Sequence, residues 1–352
     1  MTASVSRRQF LASGAAAALG TGLLPGLSGS AQAAGSLIAT TYPGTWDVAQ
    51  RQILLPAFTA ATGASVALQP VLALEAVAKI AASKANPPFN VVLMDEGPYL
   101  AALDMGIFAP LPKDKVKNLA SLPERFIDPN GCGAFISAQV MGIVYNPTAI
   151  KTPPTSWLDL WKAEYKGRVG ITGLGSSLGS AWMVEIAKLH GGSESNMEPA
   201  FEALKKLLPN VGAVAPNPGA LATLFQQGQV DISFNYLNAI LPLAQRGADI
   251  AIARPDSGWV LVRNSLHVIE NSKDLDLCYA YVDAALSDGV QRQMAAAPNF
   301  LAPTNKTVPF GSELQKVAKN DAELAKLPLI DWKTLNPQRS ALIERFNKEV
   351  RI

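Results

Sequence analysis

The sequence has little cysteine and little histidine, with two of each in 352 residues. Cys132 and Cys278 stand in unrelated contexts, so they form neither a C-x-x-C redox pair nor a zinc ligand set. In an oxidising compartment the two could form one disulfide. Cys278 lies in an apolar helical stretch, however, where a free thiol packs as a small hydrophobe. We expect no metal centre and no cofactor.

Excess charge of either sign is also absent. The chain has 30 Lys+Arg and 28 Asp+Glu, and its first 33 residues hold two arginines and no acid. The remainder therefore carries 28 charges of each sign. A neutral chain without Lys/Arg clusters lacks the electrostatic footprint that binding to a phosphate backbone requires. We expect no nucleic-acid partner.

The sequence lacks an apolar run long enough to span a membrane. The run over residues 10–24 includes three glycines and is shorter than the about 20 mostly apolar residues that a spanning helix needs. It follows Arg7-Arg8 and precedes Ala-Gln-Ala at 31–33, a small-residue cleavage site. These regions, in this order, predict a twin-arginine export signal over residues 1–33.

Length and pattern predict an α/β protein with more than one core. Removal of 33 signal residues leaves 319, which exceeds the size at which a single core stops growing. Apolar strands alternate with helical patterns early in this part of the chain, and such a succession implies a parallel sheet with helices on its faces. The predicted elements are strands 37–41, 66–69 and 90–94 and helices 48–62, 74–83 and 99–105.

Later patterns are longer and more mixed. Residues 133–145 are predicted as a long apolar strand pair, and 259–269 as a long β-rich segment. The other predictions are strands at 168–172 and 231–235, helices at 180–190, 199–207, 274–286 and 291–296, and surface helices within 313–327 and 338–350.

One short motif carries two interpretations. Residues 175–179 match G-x-S-x-G, which in a serine esterase would make Ser177 the nucleophile, with Asp231 or Asp249 and His267 following in the required chain order. No His-Gly-Gly oxyanion motif precedes the serine. The same letters describe a glycine- and serine-rich turn that offers N–H groups and hydroxyls to a ligand at a helix start.

Several phrases in order resemble the periplasmic solute-binding proteins of ABC importers, in the branch with polyamine, iron and phosphonate binders. The resemblance covers nearly the whole chain after the signal and favours the ligand-binding interpretation of the serine turn. Its most specific phrases are GIVYN at 142–146, PPTSWLDLW at 153–161 and YKGRV at 165–169. The others are LPAF at 55–58, TGASV at 62–66, NVVL at 90–93, LDMGIFAPL at 103–111, SDGVQRQM at 287–294 and PTN at 303–305.

The resemblance implies a two-lobe periplasmic binding protein fold of type II, with a ligand cleft closed by hinge motion. Two strand crossovers, near 138–143 and 262–266, would form the hinge. It also implies a monomeric, non-enzymatic receptor in the periplasm whose partners are a small-molecule ligand, an ABC permease and, through it, the ATPase. The expected lobes are 34–139 with 265–308, and 140–264 with 309–352.

Ligands of open α/β sheets bind at the carboxyl ends of strands, and the resemblance implies that the loops after the strands at 37–41, 90–94 and 231–235, the serine turn and the second crossover line the cleft. Aromatic faces can hold a cation, although Trp46 can equally pack beneath its helix. Arg263 suits a carboxylate or phosphate, or else braces the hinge. The candidates are Tyr42, Thr45, Trp46, Asp95, Glu96, Ser176, Ser177, Asn235, Tyr236 and Arg263.

The ligand class stays open among several chemistries. Acids at 95–96, Arg263 and the turn at 173–180 suggest a group of each sign, so a polyamine-class amine or a zwitterionic amino compound leads, with a carboxylate or phosphonate next. Where polyamine binders commonly have an aromatic residue and a carboxylate, this chain has Val262-Arg263-Asn264. A ferric ion would need phenolates with carboxylate or imidazole help, and Tyr236 has no adjacent tyrosine.

Overall fold

A computed structural model describes residues 35–351. The predicted export signal lies outside these residues. No helix in the described part of the chain combines the length and the apolar character that a membrane crossing requires.

The strands within residues 35–351 join in one sheet. Their order is β2-β1-β3-β9-β4-β7-β5-β6, and β8 pairs with the far half of β4. β1 pairs in parallel with β2 and β3, and β5 pairs in parallel with β6 and β7, which gives two parallel groups. β9 pairs antiparallel with β3, and β4 pairs antiparallel with β7. The strands are β1 (Ser36–Thr41), β2 (Ser65–Pro70), β3 (Val91–Asp95), β4 (Ala134–Tyr145), β5 (Val169–Thr172), β6 (Val211–Ala215), β7 (Ile232–Tyr236), β8 (Ala251–Ala253) and β9 (Val260–Val268).

Two long antiparallel strands connect the two parallel groups. β4 and β9 pair with each other from Ala134–Leu266 to Met141–Val260. On its other edge β9 pairs with β3 over residues 264–268, and β4 pairs with β7 over residues 141–145. β9 thus borders the first group and β4 the second. The predicted crossovers lie within these two strands. Residues 133–145 contain a single strand of 12 residues, and the prediction of a strand pair there was wrong.

Helices cover the sheet on both faces. They are α1 (Thr45–Ala49), α2 (Leu55–Thr62), α3 (Ala73–Ala82), α4 (Glu96–Ala102), α5 (Ser177–Leu189), α6 (Glu198–Leu207), α7 (Pro218–Gln226), α8 (Leu237–Gln245), α9 (Leu275–Leu286), α10 (Asp288–Ala295), α11 (Ser312–Gln315), α12 (Asp321–Leu324) and α13 (Trp332–Glu349). A π-helical segment, Gln50–Leu54, joins α1 to α2, and short 3-10 turns fill several connections. The sequence patterns missed β6, α7, β8 and α8.

The last helix differs most from its prediction. The segment 338–350 was predicted as a surface helix, but α13 begins at Trp332 and buries Trp332, Leu335, Arg339 and Phe346. The many charged residues around these positions hide the apolar stripe, which recurs at spacings of three, four and seven residues.

Two large hydrophobic cores divide the described chain. The first surrounds β1–β3, α2, α9 and α10 and includes Leu324, while the second surrounds β5–β7, α5 and α6 and includes Ile330 and Trp332. The lobe boundaries stay a prediction, and this packing favours a C-terminal boundary between Leu324 and Ile330 over one at 308. Cys132 and Cys278 are separate buried thiols, so the structure contains no disulfide between them.

Candidate ligand-binding site

A cavity of about 270 Å³ lies at the carboxyl ends of the strands, between the two parallel groups. Its walls come from the loop after β1, the end of β3, the start of α5, the start of α7, the end of β7 with α8, and the loop at Pro298-Asn299. The volume is at the small end for ligand pockets, so it suits a compact solute. Most of its lining is apolar, with a few polar side chains that converge on it.

Seven of the ten candidate residues line this cavity, and three do not. The lining residues are Tyr42, Thr45, Trp46, Asp95, Ser176, Ser177 and Tyr236. Glu96, Asn235 and Arg263 are not among the residues that form its walls. The ligand contacts of the seven stay a prediction, because the structure establishes their position and not their partner.

Arg263 and Glu96 bind each other. Nε of Arg263 donates to Oε2 of Glu96 at 3.0 Å, and its two terminal nitrogens contact Oε1 of Glu96 and the carbonyl oxygen of Arg125. The guanidinium also lies 4.4 Å from the centre of the Phe135 ring. Each of the three guanidinium nitrogens therefore has a partner within the protein. This geometry favours the hinge-bracing role of Arg263, and ligand contact by Arg263 and Glu96 stays a prediction.

Asn235 also has a role within the protein. It is fully buried, its Nδ2 donates to the carbonyl oxygen of Pro218 at 2.9 Å, and its Oδ1 accepts from the backbone N–H of Tyr236 at 2.8 Å. Pro218 is the first residue of α7. The side chain thus fixes the start of α7, whose neighbours Asn217 and Gly219 do line the cavity.

Buried polar atoms without partners mark the cavity wall. Within residues 35–351 the hydroxyls of Tyr42, Ser177 and Tyr236 and the indole Nε1 of Trp46 are buried and make no hydrogen bond. Buried polar groups in folded proteins are nearly always hydrogen-bonded. Four such atoms around one cavity are what a site built for a polar ligand presents.

Asp95 is the acidic residue of the described cavity wall. Burial raises the pKa of its carboxyl above the usual value, and the nearby hydroxyls of Ser177 and Tyr42 and the charge of Arg339 offset part of this rise. Nδ2 of Asn264, directly opposite on β9, donates to Asp95 Oδ1 at 2.7 Å. A buried carboxyl with spare acceptor capacity suits an ammonium group.

The two tyrosines stay protonated. Burial, followed by the charge of Asp95, raises the pKa of Tyr42 and of Tyr236 well above the usual value. Each phenol can therefore donate a hydrogen bond to a ligand and accept one from it.

The serine turn forms a helix start. Ser176 caps α5 and its Oγ accepts from the N–H of Leu178 at 3.3 Å, so the helix begins at Ser177 and not near Ser180 as predicted. A Cβ at Gly179 would lie 2.5 Å from the carbonyl oxygen of Gly173, whereas one at Gly175 would meet no atom within 4 Å. Gly179, three residues into the helix, is the position where only glycine fits.

The esterase constellation is not assembled. Both ring nitrogens of His267 are engaged, Nε2 with Oγ of Ser265 at 2.7 Å and Nδ1 with the carbonyl oxygen of Cys132 at 2.9 Å. Asp231 pairs with Arg168 at 2.6 Å. No base is therefore available to Ser177 from the residues that the chain order offered.

Metal-binding clusters are also absent from the described chain. Within residues 35–351 no three or more histidine, cysteine, aspartate or glutamate side chains come together in a way that could hold a metal ion.

The sequence interpretation missed Arg339. It is 4% exposed on α13, and all three of its guanidinium nitrogens lack a hydrogen-bond partner in the described chain. The charge of Asp95 acts on its pKa, and Tyr42 and Tyr236 also lie near it. The available signal was its spacing, since Arg339 follows Trp332 and Leu335 at seven and four residues and so lies on the apolar stripe of α13.

Comparison with known proteins gives a family match and a fold match. A family model described as bacterial extracellular solute-binding protein matches residues 54–326. A spermidine/putrescine-binding periplasmic protein of Escherichia coli is 27% identical over 214 residues, which are 56% of this chain and 58% of that protein. The chain thus matches less than two thirds of that relative's length.

Solved structures cover more of the chain. An ABC transporter from Clostridium perfringens is 26% identical, with a TM-score of 0.69 over 90% of this chain and 100% of that one. A periplasmic thiamin binding protein is 20% identical, with a TM-score of 0.75 over 94% of this chain and 100% of that one. These likenesses confirm the two-lobe α/β fold that the sequence predicted.

Proposed function

Because the chain belongs to the bacterial extracellular solute-binding proteins, we propose that it is the periplasmic receptor of an ABC importer. It captures a small organic solute in the cavity and delivers the solute to a membrane permease that works with an ATPase. The observation that carries this proposal is the cavity of about 270 Å³ lined by buried, unpartnered polar atoms. Such a receptor performs no chemistry on its ligand.

Capture works by a shift between open and closed lobes. Thr45, the first residue of α1, donates through Oγ1 to the carbonyl oxygen of Asn238 in α8 at 2.7 Å. Gln139 Nε2 lies 3.3 Å from Oδ1 of Asn238. The cavity walls come from both parallel groups of strands, so a ligand that contacts both stabilises the closed state.

The cavity favours a solute with an amino group. Asp95 supplies a carboxyl on the cavity wall, and Tyr42, Trp46 and Tyr236 supply aromatic side chains to the same wall. Ammonium groups bind to such a combination of carboxylate and aromatic rings. A polyamine-class amine or a zwitterionic amino compound is therefore the proposed ligand.

The test is to identify what the protein carries. The mature protein, purified from periplasm without unfolding, is analysed by native mass spectrometry for a bound small molecule. A thermal-shift screen with amines, amino acids, carboxylates, phosphonates and ferric ion follows, because a ligand that binds only the native state raises its apparent stability. The proposal fails if the native protein carries no solute and no member of the screen raises the melting temperature.

A ferric-ion receptor is the second candidate. Tyr42, Tyr236 and Asp95 bring two phenols and one carboxyl to the same cavity, and these are hard oxygen donors. The buried cation of Arg339 near them opposes a bare trivalent ion. A visible phenolate-to-iron absorption band on addition of ferric citrate would favour this candidate over the amine.

The twin-arginine route is part of the same proposal. Replacement of Arg7-Arg8 by Lys-Lys should leave the precursor in the cytoplasm, because the export machinery reads the pair as an address. Cell fractionation and immunoblotting measure the distribution. Normal periplasmic delivery of this variant would contradict the route and leave the receptor function untouched.

A further inference from the structure

Arg339 is a buried cation whose guanidinium lies over the Trp332 ring of the same helix, 5.2 Å from the ring centre. Its side chain is 4% exposed, and Nε and both terminal nitrogens make no hydrogen bond within residues 35–351. Charged groups that are buried are normally paired, since an unpaired one loses its hydration without compensation. The contact with the Trp332 ring replaces only part of that hydration, so the N–H donors of Arg339 are left for another partner.

The position of α13 directs Arg339 toward the end of β3. Asn336, three residues earlier, donates through Nδ2 to the carbonyl oxygen of Gly97 at 2.8 Å. The ring of Trp332 packs against Gly97 so closely that a Cβ there would lie 2.5 Å from it. Trp332, Asn336 and Arg339 share one face of the helix, and Gly97 is two residues after Asp95. Arg339 thus lies on the helix face that packs on α4, near Asp95 of the cavity wall, and is not itself one of the residues that form that wall.

The same helix also borders the serine turn. The ring of Phe346, two turns beyond Arg339, lies 3.9 Å from where a Cβ would stand at Gly173. The turn leads into α5, a helix of 13 residues whose first residue, Ser177, has an unpartnered buried hydroxyl. The free N–H groups of a helix start favour an anion. α13 therefore contacts both the segment after Asp95, through Trp332 and Asn336, and the turn before α5, through Phe346.

The guanidinium stays charged at this place. Burial lowers the pKa of Arg339 to about 10, while the neighbouring Asp95, Tyr42 and Tyr236 act to raise it. At neutral pH the site thus combines one buried cation and one buried carboxyl, and Arg339 makes no hydrogen bond to that carboxyl.

We propose that Arg339 binds the anionic group of the ligand, which is an amino compound that also bears a carboxylate or phosphonate. This inference rests on the proposed receptor function and names its substrate class. A ligand with one group of each sign pairs both buried charges, the ammonium with Asp95 and the anion with the planar fork of Arg339. A diamine would add a cation next to an unpaired arginine, and a simple carboxylate would leave Asp95 without its partner.

The test compares ligands that differ at one end only. Isothermal titration calorimetry with the mature protein measures ω-amino carboxylates and ω-aminoalkylphosphonates of two to six carbons, the diamines of equal length and the unsubstituted carboxylates. The tightest amino anion is expected to bind at least about tenfold more tightly than its matched diamine and its matched carboxylate. A diamine or carboxylate that binds equally well, or a series in which nothing binds, overturns the inference.

Substitution of Arg339 separates a ligand role from a structural one. Arg339→Gln is expected to weaken binding of the amino anion at least about 30-fold. It should also reduce the difference in affinity between the amino anion and its matched diamine. The ligand-free melting temperature of this variant should equal or exceed that of the wild type, because a buried unpaired charge has been removed. A lower melting temperature with unchanged affinity would make Arg339 structural and overturn the inference.

Arg345→Gln is the matched control. Arg345 lies on the same helix and carries the same charge, but it pairs with Glu198 and Glu349 at 2.6 and 2.7 Å, away from the cavity. This variant should keep the wild-type affinity within about threefold.

If diamines bind tightly to the wild type, the substrate class fails while the receptor function stands. If the native protein carries no solute of any class, the receptor function itself fails.

Discussion

Asp95 and Glu96 are neighbours in sequence but have different roles in the structure. Asp95 ends β3 and lines the cavity, while Glu96 begins α4 and pairs with Arg263. Successive residues of a strand point to opposite faces, and the change from strand to helix between the two turns Glu96 toward β9. The sequence indicated an acidic strand end, but the choice between the two acids depends on a contact 167 residues away.

The Arg263–Glu96 pair should contribute to stability and not to binding. The two side chains are 14% and 11% exposed, so Arg263→Ala leaves an acid nearly buried without its partner. We expect a loss of about 2 to 3 kcal/mol in the free energy of unfolding, near the lower limit for a broken buried pair. Urea denaturation measures this loss, and titration of the refolded protein with its ligand should give an unchanged affinity.

The double variant Arg263→Met with Glu96→Gln controls for the unpaired acid, because it removes both charges and should recover most of the lost stability. A strong loss of affinity in Arg263→Ala, together with wild-type stability, would return Arg263 to the ligand site.

His267 should make the protein less stable in mild acid. Burial lowers its pKa from 6.5 to about 4, so the unfolded chain binds a proton between these values and the folded chain does not. His267 does not lower the free energy of unfolding above pH 6.5. As pH falls from 6.5 toward 4, the free energy of unfolding decreases, because the unfolded chain takes up a proton that the folded chain does not. The maximal contribution is about 3 kcal/mol.

The measurement for His267 is the free energy of unfolding at several pH values for three proteins. His267→Gln should remove the part of the pH dependence between 6.5 and 4, while His190→Gln, at an exposed position after α5, should retain it. Parallel pH profiles for the wild type and His267→Gln would contradict the assignment.

At the scale of elements, the sequence predicted what depends on local pattern. β1, β2 and β3 with their helices follow from apolar runs that end at Gly63 or at an acidic pair. β6 has exposed residues in its middle and α7 follows a proline, so neither shows a strong period. The charged residues of α13 are as numerous as its apolar ones, so its pattern indicated a surface helix, and only packing on α4 reveals the buried face with Arg339.

The close contact between α4 and α13 predicts that one methyl group added at Gly97 destabilises the protein. Gly97→Ala places a Cβ 2.5 Å from the Trp332 ring, which must shift with its helix. We expect a loss of about 1 to 3 kcal/mol in stability, measured by denaturant unfolding. Affinity for the ligand should also fall, because Arg339 moves with the same helix.

Gly289→Ala is the matched control for Gly97→Ala. Gly289 is likewise the second residue of its helix, α10, and a Cβ there would meet no atom within 4 Å. Alanine should therefore be neutral or stabilise the protein by about 0.5 kcal/mol. Equal behaviour of the two variants would show that Trp332 adapts without cost.

At the scale of the whole molecule, the two cores are connected by the paired strands β4 and β9 and by the packing of α13 on α4. β9 pairs with β3 of the first parallel group and β4 with β7 of the second, so bending of these two strands moves one core relative to the other. The resemblance of the sequence predicted this architecture, since its phrases occur along both lobes. It could not predict how the lobes meet, because contacts such as Thr45 with Asn238 join residues 193 positions apart.

Ligand should therefore make the molecule more compact. We expect small-angle scattering to give a larger radius of gyration for the ligand-free mature protein, and a decrease on addition of ligand toward the about 20 Å of a compact chain of this size.

Thr45→Val removes the hydrogen bond to Asn238, so it should weaken ligand binding by about 0.5 to 1.5 kcal/mol and leave a larger open fraction at the same ligand concentration. Thr59→Val is the control, since Oγ1 of Thr59 bonds to Ala64 within the first core. A radius of gyration that is identical with and without ligand would contradict hinge closure, and an equal loss of affinity in both variants would show that the bond to Asn238 has no special part in it.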